Sequence, residues 1–288
     1  MKQAILFLLA VSLLADAAGQ ATLSGLRSLG SGLLDEQLTD DEKKVSAEAF
    51  LKEFTDFLTE NSPDSVTTQA LPFVSCLASP EGTVRVYSWA LKRADDSYRC
   101  FGIVYSMFDK KEAPRLFVLE DKSESLKNAE QKNLGRTSWP GCIYYGLYPI
   151  AKGPKPMYLL LGYGGHYPQV RRKVAEVLTF SNTGEVQFGA PIFKKENRVF
   201  NRILLEYSAR ANVSLKFYSE ERKLVFDFLA PQSEKHLGNP AFYGPVGSYD
   251  GFMLKGKTFT FVKDIDMRNP DENKGNTQKP VEKKLPPR

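Results

Sequence analysis

The chain has 288 residues, and its 42% hydrophobic content is enough for one large core or two small ones. Its 25% charged content is ordinary for a soluble protein. The net charge of +5 is spread among interspersed Lys, Arg, Asp and Glu, with no basic block of the kind that tracks nucleic acid, so nucleic-acid binding is set aside.

Lys2, the apolar run AILFLLAVSLL and the small residues of ADAAGQ have the order of a secretory signal peptide over residues 1–19. Both Ala15-Asp16-Ala17 and Ala17-Ala18-Gly19 fit the small-x-small cleavage rule. No cysteine follows closely enough for a lipid anchor, and no later apolar run is long enough to span a bilayer. The mature protein is expected outside the cytoplasm. Residues 20–38 are small and Gly/Ser-rich, which predicts a mobile segment. In TDDEKKVSAEAFLKEFTDFLTEN the apolar residues Val45, Phe50, Leu51, Phe54, Phe57 and Leu58 recur at three- and four-residue steps. That spacing predicts an amphipathic helix capped by Thr39 or Asp40, with its apolar stripe packed on the sheet that follows.

From about Leu71 to Val262 the pattern changes to short β-branched and aromatic runs bounded by Gly, Pro, Asn and Asp. LPFVSCLA, TVRVYSWAL and YRCFGIVYS read as three consecutive strands, followed by PRLFVLED, CIYYGLYPI, MYLLLGYG and VQFGAPIF. VRRKVAEVLTF suits a helix nearly as well as a strand. In the first meander Cys76 and Cys100 lie two strands apart at opposite ends of the middle strand, a gap of roughly 15 Å. A disulfide between them is out of reach, so any disulfide would have to use Cys142. A four-residue turn at Ser219–Arg222 would pair Phe217 with Leu224, Leu215 with Phe226 and Val213 with Phe228 on one apolar face. The other face would pair Tyr218 with Lys223, Lys216 with Val225 and Ser214 with Asp227. The expected fold class is mainly β. It is a long antiparallel meander (sandwich, open barrel or propeller-like) with one N-terminal amphipathic helix, in a single domain over residues 39–269. Residues 270–288 are polar, Pro-bearing and poor in apolar side chains, and read as a disordered tail.

SPEGTVRVYSW, YYGLYPI followed by YLLLGYGG, KVAEVLTF, FGAPIF, LEYSARANVSLKF, VFDFLAP and YGPVGSYDGF occur in this order. As a set, over about Phe50 to Asn269, they resemble an uncharacterised family of secreted β-rich proteins typical of the Bacteroidota. The resemblance implies export and a periplasmic or outer-envelope address. It implies no activity and no site residues.

With only His166 and His236, histidine-based sites are hard to build. There is no H-E-x-x-H, no zinc-spaced C-x-x-C, no G-x-S-x-G elbow and no phosphate-binding glycine loop. DIDMRNPDENKG lacks the glycine at position six and the glutamate at position twelve of a calcium loop. No catalytic residue, metal or cofactor is therefore assigned. Glu206 and Asp227 interrupt apolar strands and are the candidate carboxylates for a glycoside-type hydrolase. The competing reading pairs Glu206 with Arg202, four residues away on the same strand face. If ARAN is also a four-residue turn, Tyr207, Ser214 and Asp227 form a hydrogen-bonded row across three strands, either a polar binding patch or a network that fixes register.

Aromatic turns are the remaining signal. In YLLLGYGGHYP both sides of YLLLG are apolar, so that strand should be covered on both faces. GYGGHYP reads as an exposed turn carrying Tyr163, His166 and Tyr167. NPAFYGPVGSYDGF offers Phe242, Tyr243, Tyr249 and Asp250. Such rings stack on sugars or partner side chains, or else fold back and plug the ends of the sheet. The favoured reading is an exported, non-enzymatic envelope protein that binds a glycan or a protein partner through these turns. The alternatives are the hydrolase and a purely structural envelope component. Secretion of the full chain should yield a mature product beginning at Ala18 or Gln20, which intact-mass and N-terminal peptide analysis will read directly.

Overall fold

A computed structural model describes residues 21–108, 113–153 and 156–267. Residues 1–19, read as a signal peptide, and 270–288, read as a disordered tail, lie outside these residues. The described residues form two helices and sixteen strands: α1 (Leu23–Ser31), α2 (Asp40–Glu60), β1 (Ser75–Ala78), β2 (Val84–Lys92), β3 (Tyr98–Ser106), β4 (Arg115–Leu119), β5 (Leu134–Gly135), β6 (Ile143–Ala151), β7 (Met157–Tyr167), β8 (Val170–Phe180), β9 (Val186–Phe188), β10 (Phe193–Lys195), β11 (Arg198–Phe200), β12 (Arg202–Ser208), β13 (Leu215–Tyr218), β14 (Lys223–Pro231), β15 (Tyr243–Lys255) and β16 (Thr258–Val262). They make three sheets, none closed into a barrel. The first is β1-β2-β3-β4 and the second is β5-β9-β8-β7-β6 with β12 also on β8. The third is β11-β10-β16-β15-β14-β13. All pairings between these strands are antiparallel except β10 with β16.

Strand alternation stacks these elements in layers. Tyr87, Trp89 and Leu91 of β2 and Phe101, Ile103 and Tyr105 of β3 pack against Phe50, Phe54, Phe57 and Leu58 of α2. Val84, Val86, Cys100 and Val104, on the opposite face, meet Tyr144, Tyr158, Leu160, Val174 and Phe188 of the second sheet. The far face of that sheet, through Leu159, Leu161, Ala175 and Val177, meets Leu215, Phe226, Phe252 and Phe259 of the third. YLLLG is thus covered on both faces, as its composition requires. The α2 helix starts where expected: Thr39 accepts from the Glu42 amide at 3.3 Å and the Glu42 carboxylate accepts from the Thr39 amide at 2.9 Å, a reciprocal capping box. Of its apolar stripe only Val45 stays exposed.

The β13–β14 register is the one read from the sequence, with Leu215 opposite Phe226, Lys216 opposite Val225, Phe217 opposite Leu224 and Tyr218 opposite Lys223. Cys76, Cys100 and Cys142 are free thiols. Cys76 sits opposite Tyr87 on one edge of β2 and Cys100 opposite Ala90 on the other. Both lie nearer the middle of β2 than expected, yet a whole strand still separates them. VRRKVAEVLTF is a strand, β8, held between β7 on one edge and β12 and β9 on the other.

Two expectations are corrected. The segment read as mobile contains α1, capped by the Thr22 hydroxyl and tied to the Ala70 carbonyl by Arg27. Close packing explains its Gly30: a Cβ there would fall 1.8 Å from the Phe73 ring. GYGGHYP is also not the turn. The β7 strand continues to Tyr167, and only residues 168–169 turn. Gly162 and Gly164 lie in the strand because a Cβ there would meet the Cys142 sulfur at 2.7 Å and the Gly141 carbonyl at 3.1 Å.

Between the first and second sheets a chain of polar groups is buried. The Trp139 indole donates to the Tyr144 hydroxyl at 2.8 Å, and that hydroxyl donates to Glu176 at 2.5 Å. Arg202 donates through Nε to Glu176 at 2.8 Å and through its terminal nitrogens to the carbonyls of Phe188, Lys132 and Ala129. Neither Glu176 nor Arg202 is exposed to solvent. Removing one partner strands the other charge, so Arg202→Met should cost about 3–5 kcal/mol of stability. Adding Glu176→Gln, which keeps an uncharged acceptor for Tyr144, should recover part of that loss in urea unfolding.

Candidate functional site

An open cleft of about 640 Å³ lies at the β13 edge of the third sheet, where that edge meets the second sheet. Its walls include Tyr145 and Tyr148 from β6, Lys173 from β8, Phe217 from β13, Asp227 from β14 and Tyr249 from β15. A backbone irregularity marks each wall. On β6 the register steps between Tyr144 and Gly146, leaving Tyr145 as the extra residue of a bulge. On the other side the pairing of β14 with β15 shifts between Asp227–Tyr249 and Leu229–Pro245, a stretch in which Gly247 takes a φ of 83°. Bulges bend a strand and re-aim side chains, and here they sit beside the cleft. Tyr145 spans the gap: the residue is 41% exposed while its hydroxyl donates to the Leu215 carbonyl at 3.0 Å. Tyr148 packs edge-on against Phe217 with ring centroids 5.2 Å apart, tying the same two walls together.

Lys173 lines the cleft beside two tyrosine rings. It shares a strand face with Ala175 and Val177, which belong to the core. Its ammonium stands 4.6 Å from the Tyr145 ring centroid and 5.2 Å from that of Tyr163, its direct neighbour across β7. Burial lowers the Lys173 pKa, because desolvation disfavours the charged form. Burial likewise raises the Tyr163 phenol above its ordinary value. Asp227, 9% exposed, accepts from the Ser214 amide at 2.6 Å and lies opposite Tyr249 in the register.

The residues singled out from the sequence divide accordingly. Tyr249 and Asp227 line the cleft, and Tyr163 flanks it behind Lys173. Tyr207 is buried and opposite Arg171 of β8, not beside Ser214. The ARAN segment therefore carries the chain from the second sheet to the third instead of turning a hairpin, and the three-strand row reduces to Ser214 and Asp227. Asp250 points to the opposite face of β15, is buried, and accepts from the Asp264 amide at 3.0 Å, an internal tie. His166 is not a solvent-facing tip. It is buried, with a pKa lowered to about 4, first by desolvation and then by the Arg172 guanidinium. Arg202 does not pair with Glu206, because Glu176 on the neighbouring strand claims it. Glu206 lies opposite Arg172 on β12 and shares the face of Arg202 and Leu204, whereas Asp227 opens into the cleft. The two carboxylates do not share a cavity.

A second concavity, a groove of about 890 Å³, brings the ends of the two aromatic stretches together. Pro168 and Gln169 form one side, next to the half-exposed Tyr167, and Phe242 and Tyr243 form another. Phe242 is stacked on His236 with centroids 3.9 Å apart, and the Tyr243 hydroxyl accepts from the Gly238 amide at 3.1 Å. The groove's rings are thus engaged by the protein itself, while the cleft offers rings, a carboxylate and an ammonium.

Sequence reading misses Tyr145, Tyr148 and Lys173. The signal for Lys173 is a cation on the face that Ala175 and Val177 give to the core. No protein-family model matches the chain, and no curated protein or solved structure matches it either. No helix among the described residues is long and apolar enough to cross a membrane.

The buried His166 makes stability pH-dependent in one direction. The unfolded chain takes up this proton near pH 6.5, while the folded protein refuses it until about pH 4. Its contribution is therefore complete above pH 6.5 and is lost as the pH falls from there to about 4. Thermal melts across this window should show a loss on the order of 2 kcal/mol, allowing for solvent screening, that His166→Gln flattens.

Proposed function

We propose that the protein is an exported binding protein of the cell envelope and that the tyrosine-lined cleft seats a glycan. The observation that carries this reading is the convergence of Tyr145, Tyr148, Lys173, Asp227 and Tyr249 on one open concavity. Aromatic faces suit the C–H faces of sugars, and a few fixed polar groups among them set orientation. A volume of about 640 Å³ is in the range of small-ligand sites. The sequence resemblance to secreted Bacteroidota-type proteins and the signal-peptide pattern of residues 1–19 support the exported address.

Binding is favoured over glycoside hydrolysis by the placement of the two candidate carboxylates. A two-carboxylate mechanism needs both groups flanking one scissile bond. Asp227 lines the cleft and Glu206 does not. In addition, Asp227 is occupied in accepting the Ser214 amide, which holds the β13–β14 register.

A glycan array probed with the mature protein tests this reading. Tyr249→Ala should weaken binding of any positive glycan about tenfold, the scale of removing one stacked ring. It should shift the melting temperature little, because Tyr249 is only partly buried. A large loss of stability with unchanged glycan affinity would make the ring a structural one and end the proposal.

A further inference from the structure

Lys173 is held but not neutralised. Two tyrosine rings flank its ammonium at 4.6 and 5.2 Å, and among the described residues no hydrogen bond or ion pair engages it. Rings attract a cation through their faces but accept little from its three N–H donors, so those donors remain free for a ligand. Desolvating an ammonium costs free energy, and no carboxylate stands close enough to Lys173 to offset that cost. The cleft's own carboxylate, Asp227, is turned to the Ser214 amide. A second cation, the exposed Lys216 of β13, lines the same cleft. With two lysines and one aspartate the cleft lining carries a net positive charge, and Lys173 is its ring-held donor.

Resting on the glycan reading above, we propose that the cleft selects an acidic sugar, a uronic-acid-type residue whose carboxylate is received by Lys173 while Tyr145 and Tyr249 face the ring. A single compact ammonium matches one carboxylate. A phosphate or sulfate group is usually met by several donors or by the planar fork of an arginine, and among the described residues no arginine lines this cleft. The bulged Tyr145 fixes the lysine's position from one side and Tyr163 from the other, so the charge is pre-placed before a ligand arrives.

The mature full chain is applied to an array holding uronate-containing glycans and neutral glycans, and the strongest pair is followed by calorimetry with the free uronate oligosaccharide and its methyl ester. The expected result is a preference for the free uronate of at least about tenfold, the effect of one charge-assisted hydrogen bond. That preference should fall as salt rises, and Lys173→Gln should erase it while leaving the methyl ester's affinity within a few-fold. Lys173→Arg, which keeps the charge, should retain part of it and covers the case in which the glutamine variant does not fold. Neutral glycans bound as well as uronates by the native protein, or a preference unchanged in a folded Lys173→Gln, would overturn the acidic-sugar inference and leave the glycan reading standing. An array with no bound glycan of either kind would overturn both.

Discussion

Glu176 and Arg202 carry opposite charges in a layer that water does not reach, and the middle of the molecule is arranged around keeping them together. Each is bound on every side that matters: Tyr144 and Trp139 extend the chain from Glu176, and three backbone carbonyls receive Arg202. The pair is a cross-strand neighbour in the β8–β12 ladder, so it also fixes register. A slip of one residue would exchange every side chain of β12 between the two faces, setting Ile203 opposite Glu176 and sending the arginine into an apolar layer. The same ladder orients β8, and so decides that Arg172 looks toward the first sheet while Lys173 looks toward the third.

That orientation produces the cleft. The second and third sheets pack through Leu159, Leu161, Ala175, Phe226 and Phe252. Where β6 bulges at Tyr145 and β15 departs from regular pairing near Gly247, close packing gives way to an open concavity. Lys173 continues the core face of β8 into this space. A residue that would be intolerable one step deeper is stabilised here by two aromatic faces and by access to solvent. The function proposed for the protein is thus a local departure from regular sheet packing, supported by layers that are otherwise closed.

The parts legible in the sequence are those governed by near neighbours. The three- and four-residue spacing of Phe50, Phe54, Phe57 and Leu58 marks α2 and its buried face, and Thr39 marks its start. Alternation along β2 and the Ser219–Arg222 turn set strand faces and the β13–β14 register. The site is only partly legible. Tyr249 and Asp227 stand out, but Tyr163 does not occupy the exposed tip that its neighbouring glycines suggest, and His166 is buried. Glycines mislead in both places where they read as loops, since at Gly30 and Gly162 the missing Cβ makes room for Phe73 and Cys142, residues far away in the chain.

By itself the sequence determined the mainly β class, the N-terminal amphipathic helix, the covering of YLLLG on both faces and the separation of Cys76 from Cys100. Those follow from periodicity and from chain geometry over a few residues. Only the tertiary structure decided that β12 joins β8 instead of β13, that Arg202 answers Glu176 instead of Glu206, and that Lys173 stands between Tyr145 and Tyr163. The reason is physical: each of these is a choice among several compatible partners, and it is made by burying whole layers together, where the desolvation of one charge outweighs any local preference.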